Sequence, residues 1–138
     1  MTARRRVFSM LAVLLVAGVI GAFVFLSDDS PPKRPPRGFA AGASPTQHAQ
    51  QGCQEISEVQ AEVKANGDKD RVFAFLDAAR KELAAAASGD PVWLSLQSGV
   101  ESLSRGLRKD DADASTLGIA IARDQCRRAG VFLPGSVR

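Results

Sequence analysis

Residues 68–110 read "DKDRVFAFLDAARKELAAAASGDPVWLSLQSGVESLSRGLRKD", and their pattern predicts two amphipathic helices in succession. Apolar residues recur at steps of three and four in both halves: Val72, Leu76, Ala79, Leu83 and Ala86, then Trp93, Leu96, Val100, Leu103 and Leu107. Gly89 suits a helix end, and Asp90 followed by Pro91 suits a helix start. The stretch therefore predicts a helical hairpin over 68–89 and 90–110. Within it, Phe73 and Phe75 widen the apolar face, and Gly99 and Gly106 favour either close helix contact or a break.

The flanking segments have the same character. Ser44 with Pro45 is typical of a helix start, and Gly67 is the expected left-handed stop after Asn66. A fourth helix is predicted from Asp113 to Gly130. The expected apolar residues of these two helices are Ala49, Cys53, Ile56, Val59 and Val63, and Leu117, Ile119, Ile121, Ala122 and Cys126. After the fourth helix, the apolar side chains of residues 131–133 (Val131, Phe132 and Leu133) are expected to fold back on the core.

Four helices with short loops and no strand-like alternation predict an all-α fold, a small up-and-down four-helix bundle. The expected domain covers 44–133, and 134–138 form a C-terminal tail. In this bundle the first and fourth helices are antiparallel neighbours. Cys53 and Cys126 then lie inward at similar heights, which predicts a disulfide between them. Two buried free thiols and an intermolecular bond are the alternatives, and the spacing fits neither a C-x-x-C redox site nor a zinc site.

The N-terminal region contains a charge-free apolar segment, 7–26, after the basic residues 1–6. A helix of this length spans about 30 Å, the thickness of a bilayer's hydrocarbon core. The three arginines before the segment and two aspartates after it predict a single-pass signal anchor with a cytoplasmic N-terminus and an extracytoplasmic C-terminal domain. A cleaved signal peptide is the rival interpretation, but the small-x-small match at Ala41–Ala43 comes late in the chain.

The apolar segment also contains small residues four apart, Ala17 with Gly21 and Gly18 with Ala22. This spacing lets two membrane helices approach closely and predicts a candidate contact through which the chain could form a homo-oligomer. The following segment, 27–43, is rich in proline and glycine. It is expected to be a semi-rigid linker that holds the helical domain away from the membrane.

The charge balance excludes nucleic acid as an expected partner. The chain has 138 residues and a net charge of +3. Arg4, Arg5 and Arg6 account for that excess, so the remainder is neutral and its net charge gives no argument for nucleic acid binding, which needs a basic face on the folded part. Arginine outnumbers lysine, tyrosine is absent and asparagine occurs once, a bias typical of GC-rich bacterial genomes.

Residues suited to catalysis are few. His48 is the only histidine, and it is expected at the surface of the first helix. Glu55, Glu58 and Glu62 have a spacing that would also suit a paired-carboxylate site or a metal patch, and an enzyme that uses these acids or His48 is a third hypothesis. A solvated face of that helix, or pairing with neighbouring basic residues, is the expectation. No metalloprotease, P-loop, dinucleotide or haem-attachment motif occurs in the sequence. We therefore expect no enzyme, no cofactor and no metal site.

The expected interaction surface combines apolar and basic side chains. Trp93 and Leu94 lie side by side, close to Phe73 and Phe75, and core packing is expected for this apolar cluster. If Trp93 and Leu94 cannot both be buried, the apolar surface left over is the candidate partner surface. Arg123, Arg127 and Arg128 lie on the fourth helix, where the acids of the first helix are expected partners. These features predict a non-catalytic membrane-anchored module of the bacterial cell envelope, an accessory or scaffolding subunit bound to another envelope protein. The alternative is a secreted helical effector or inhibitor, released by cleavage near Ala43.

Overall fold

The computed structural model describes residues 34–135, and the described residues from Pro36 onward form one compact unit. The described part contains four α-helices: α1 (Pro45–Lys64), α2 (Lys69–Gly89), α3 (Leu94–Lys109) and α4 (Ala112–Arg128). A short 3-10 turn, Pro91–Trp93, joins α2 to α3. The prediction of an all-α region with four helices is confirmed. The predicted transmembrane segment 7–26 lies outside the described residues. Among residues 34–135, no helix is both long enough and apolar enough to cross a bilayer.

Side chains cap the helix starts. The Ser44 hydroxyl accepts a hydrogen bond from the Gln47 amide N–H, while the Gln47 side chain accepts one from the Ser44 N–H, a complete capping box. Asp68 caps α2, and Asp90 caps the 3-10 turn, so α3 begins only at Leu94. Asp111 caps α4.

The end of α1 differs from the prediction. The helix ends at Lys64, and the left-handed residue after it is Asn66, with φ of 49°, rather than Gly67. Asparagine tolerates this conformation better than most residues with a side chain. The Gly67 N–H then donates to the Glu62 carbonyl oxygen at 2.8 Å, so one of the last carbonyls of α1 is satisfied.

The helices form two hairpins, α1 with α2 and α3 with α4. The backbones of the second hairpin touch at its glycines. A Cβ atom on Gly118 would overlap the backbone nitrogen of Leu103, and one on Gly106 would lie 2.5 Å from the Ser115 backbone nitrogen. Gly99 likewise meets the Ile121 side chain. Of the two expectations for Gly99 and Gly106, close helix contact or a break, the structure shows close contact, and α3 continues through both glycines.

The hairpins meet through α2 and α3, which exchange ion pairs. Arg80 bonds Glu101 at 3.0 Å, and Arg108 bonds Asp77 at 3.0 Å. These pairs are half-exposed, so each contributes less than about 1 kcal/mol. The larger contribution comes from the buried apolar residues between the helices: Ala49, Cys53, Ile56, Val59, Val72, Phe75, Leu76, Ala79, Leu83, Ala86, Ala87, Trp93, Leu96, Val100, Leu103, Ala122, Cys126, Ala129 and Leu133.

Three residues expected in the core are exposed: Val63, Leu117 and Phe132. Val63 lies in the last turn of α1, where the core residues of the other helices do not cover it. Leu117 precedes Gly118, whose backbone contact with α3 turns Leu117 toward solvent. In the tail, Leu133 is buried and Val131 is half-buried, while Phe132 between them points outward.

The Cys53–Cys126 disulfide is present, which confirms the predicted pairing. The Cα atoms lie 5.6 Å apart, and both residues are fully buried. The bond joins α1 to α4, so it connects the two hairpins at the side opposite the α2–α3 contact.

Replacing both cysteines by alanine is expected to lower the free energy of unfolding by roughly 4 kcal/mol, because the bond closes a long loop in the unfolded chain. Urea unfolding of the full-length chain in a mild detergent, followed by circular dichroism, measures the loss. In the native protein, we expect no cysteine to alkylate until a reductant is added, which then raises the mass by two hydrogens. Alkylation of both residues without reductant would contradict the bond.

Gly118→Ala is expected to destabilise the chain by about 1–3 kcal/mol, since its Cβ would overlap the α3 backbone and the hairpin would have to open. Gly38→Ala is the control, because no atom lies within 4 Å of the position of its added Cβ. The same urea titration compares the two. A Gly118→Ala protein as stable as the control would show that the backbone contact is not required.

Candidate functional site

Trp93 and Leu94 differ in exposure, since Trp93 is the last residue of the 3-10 turn and Leu94 is the first residue of α3. Trp93 is 6% exposed and belongs to the core, whereas Leu94 is 55% exposed. Leu94 lies at the mouth of a surface depression of about 650 Å³ between α3 and α4. We call this the α3–α4 depression; it is lined by Leu94, Ser95, Ser98, Ala120, Ile121, Asp124 and Gln125. Core packing is therefore found for Trp93 and not for Leu94, so of these two candidate residues only Leu94 lies at the surface.

The three arginines of α4 lie at two different surfaces. Arg127 donates to Asp124 at 2.8 Å, and Arg128 lies 3.7 Å from the same carboxylate. The expected pairing of these arginines with acids of α1 is wrong, because both bond an acid of their own helix. Glu62 of α1 bonds Arg71 of α2 instead. Because Asp124 lines the α3–α4 depression, Arg127 and Arg128 lie beside that depression.

Arg123 points to a different surface, the α1–α4 groove of about 680 Å³. This groove is lined by Val59, Gln60, Ala61, Val63, Lys64, Leu103, Leu107, Ser115, Thr116, Ile119, Arg123, Pro134 and Gly135. It exists because α1 and α4 make few direct contacts. Two polar atoms of lining residues, Gln60 Oε1 and Arg123 Nε, are buried and have no hydrogen-bond partner. Sequence reasoning missed the groove, since it depends on the distance between two helices far apart in the chain.

His48 is buried, and its expected place at the surface is wrong. The residue is 7% exposed, and Nδ1 lies 2.5 Å from Oε2 of Glu82, a buried acid of α2. The Phe39 ring stacks over the imidazole with centroids 5.2 Å apart. A carboxylate at Nδ1 also orients catalytic histidines. Here the imidazole is buried between the Glu82 carboxylate and the Phe39 ring.

Residues 36–43, which we call the strap, run over α1 and α2. The Ala40 N–H donates to Glu82 Oε1 at 2.9 Å, and the Arg37 N–H donates to Glu55 Oε1 at 3.0 Å. Part of the predicted linker thus lies in the compact unit and supplies donors to two buried acids. Nothing in the proline and glycine content of this segment indicates those bonds, because backbone groups make them.

Glu55 is 1% exposed, so its expected place on a solvated face is wrong. The Gln51 side chain donates a second hydrogen bond to the same oxygen at 3.0 Å. Burial removes the carboxylate from water and raises the pKa of Glu55, while the bonds from Arg37 and Gln51 oppose the shift. Glu58, one turn further along, is half-buried.

Glu55→Gln is expected to make the protein more stable relative to wild type as pH rises. The pKa of Glu55 is higher in the folded protein than in the unfolded chain. The wild-type carboxyl group therefore contributes favourably to the free energy of unfolding below about pH 4, and this contribution is lost as pH rises through the folded-state pKa. The substituted carboxamide would keep an acceptor for the Arg37 N–H without the buried charge. Urea unfolding from about pH 4 to pH 7 measures the difference.

Glu58→Gln removes the same charge from α1 and controls for the change in net charge. A Glu55→Gln protein that loses stability relative to wild type as pH rises would contradict this account of Glu55.

The remaining predicted residues, Ala17, Gly18, Gly21 and Ala22, lie outside the described residues. Within 34–135, no group of three or more His, Cys, Asp or Glu side chains is placed to hold a metal ion. Comparison of the chain with protein-family models, with curated proteins and with solved structures finds no match. The function is therefore argued from the chain's own residues.

Proposed function

We propose that the protein is a membrane-anchored, extracytoplasmic interaction module, a non-catalytic accessory or scaffolding subunit of a bacterial cell-envelope complex. The observation that carries this proposal is the Cys53–Cys126 disulfide of the helical unit. Structural disulfides persist in oxidising compartments outside the cytoplasm. The charge-free segment 7–26, preceded by three arginines, supplies the anchor that would place the unit there. Small residues in that segment would also permit a homo-oligomer through the membrane helix.

The contacts of the strap favour a chain that is not cleaved near Ala43. Its backbone donates to the buried carboxylates of Glu55 and Glu82. Cleavage near Ala43 would detach those donors, and a buried acid that loses a partner costs about 1–3 kcal/mol. A secreted effector released at that position would therefore be less stable than the anchored chain.

The partner contact is proposed at the α3–α4 depression. Leu94 is a large exposed apolar side chain, and Ile121 and Ala120 extend the apolar surface beside it. Asp124, bonded by Arg127 and Arg128, supplies a polar rim. Interfaces commonly combine an apolar centre with such a rim.

A photoreactive amino acid at Leu94 is expected to crosslink one discrete envelope protein in living cells. The same amino acid at Lys81, an exposed residue of α2, is the control and is expected to give little of that product. Mass spectrometry of the crosslinked band identifies the partner. With the photoreactive amino acid placed instead at Ser98, which lines the same depression, replacing Leu94 by aspartate is expected to reduce recovery of that product at least about tenfold. Equal crosslinking from both positions, or none from Leu94, would contradict the proposed surface.

The mass of the chain recovered from membranes tests the anchor in the same cells. We expect an N-terminus upstream of residue 7. A mature chain that begins at Ser44 would instead establish the secreted alternative.

A further inference from the structure

We propose that the α1–α4 groove binds a single-chain fatty acid, with the carboxylate at Arg123 and the alkyl chain along α4. This inference concerns a different surface and a small ligand, and only the internal reference of its test rests on the proposed membrane anchor, 7–26. The groove's volume of about 680 Å³ lies within the usual range of small-molecule sites, roughly 300–1,000 Å³.

The lining provides the apolar part of the site. Leu103 and Leu107 of α3 contribute side chains from one side, Ile119 of α4 from the next, and Val59 and Val63 of α1 from the third. Val63 is an exposed apolar residue in a helix whose other apolar stripe residues are buried. An alkyl chain in the groove would cover it and remove apolar surface from water, the main favourable term in such binding.

The polar part favours an anion. Among the residues that line the groove, the charged ones are Lys64 and Arg123, and both are cations. Arg123 Nε is buried without a hydrogen-bond partner, a state that costs free energy until an acceptor arrives. A carboxylate accepts from a guanidinium through two parallel bonds. Gln60, whose Oε1 is also unpaired, can turn its carboxamide to present the NH₂ group to the same head group.

The positions of these groups set the direction of the ligand. Arg123 and Ser115 lie about 12 Å apart along α4 at 1.5 Å per residue, and Ser115 and Thr116 line the opposite end of the groove. An alkyl chain that starts at Arg123 would therefore run past Ile119 toward Thr116. A ligand of this shape with a cationic head group would be repelled by the positive charge of Arg123.

Photoaffinity labelling of the full-length chain in phosphatidylcholine nanodiscs tests the proposal. The probe is dodecanoic acid with a diazirine on its alkyl chain, and peptide mass spectrometry maps the labelled residues. We expect label on peptides that contain 59–64 or 115–123, removed by excess dodecanoate and not by dodecyltrimethylammonium, which has the same chain and the opposite charge. Labelling of the apolar segment 7–26, common to all variants, is the internal reference for probe taken up by the nanodisc.

Arg123→Gln is expected to weaken the competition by dodecanoate at least about tenfold. Arg105→Gln removes the same charge from an exposed position of α3 and is expected to behave as wild type. Val63→Glu places an acid at the exposed rim, and it is expected to reduce labelling even where Arg123→Gln fails to fold. Label confined to 7–26, equal labelling of wild type and the two groove variants, or equal competition by both amphiphiles would overturn the proposal.

Discussion

The covalent bond between Cys53 and Cys126 is the constraint on which the arrangement of the four helices depends. The two hairpins are held together on one side by the turn Pro91–Trp93 and by the contact of α2 with α3. On the other side α1 and α4 make few direct contacts, and the disulfide ties them there. A domain of this size has a limited apolar core, so a covalent bond on its weakest side has a large effect. A hydrogen bond from Gln50 of α1 to the Ala129 carbonyl, 2.9 Å long, lies near the same end of α4. The α1–α4 groove lies where the two helices lack such attachments.

A second constraint comes from the small residues of α3 and α4. Gly118 lies against the backbone of α3 near Leu103, which leaves no room for any side chain at that position. The backbone of α4 is therefore held against α3. Ile119, the next residue, lines the groove, and Leu117 on the other side of the glycine is exposed. The less regular apolar pattern of α4 in the sequence has this physical cause, since a backbone contact at a glycine replaces part of the usual side-chain packing.

The buried acids show how a segment without regular structure becomes part of a folded unit. Glu55 and Glu82 are both nearly inaccessible to water, and burial of a carboxylate is unfavourable unless hydrogen bonds compensate. The strap supplies backbone donors to both, and His48 supplies a further contact to Glu82. The same bonds satisfy backbone groups of the strap that would otherwise face only water. The C-terminal part of the predicted linker is thereby connected to α1 and α2.

The sequence by itself determined the helical class, the number of helices and most of their boundaries, because caps and apolar periodicity are local signals. Asp90 and the Ser44–Pro45 pair each mark a helix or turn start where it was expected. The disulfide was also predicted, because the two cysteines are expected to face inward at matching heights; free thiols and an intermolecular bond were the alternatives. The exposure of Leu94, next to the buried Trp93, was expected only in the case that both could not be buried.

Tertiary structure alone decided which polar side chains are buried and where the surface is concave. His48, Glu55 and Glu82 carry no local sign of burial, because their partners are backbone groups of the strap or residues of another helix. Arg127 and Arg128 pair with Asp124, an acid three and four residues before them on the same helix, rather than with acids of α1. The spacing between α1 and α4 creates the groove around Arg123, and no periodicity within either helix indicates it. Local sequence specifies elements, whereas sites form from the spacing between elements, which only the packed chain defines.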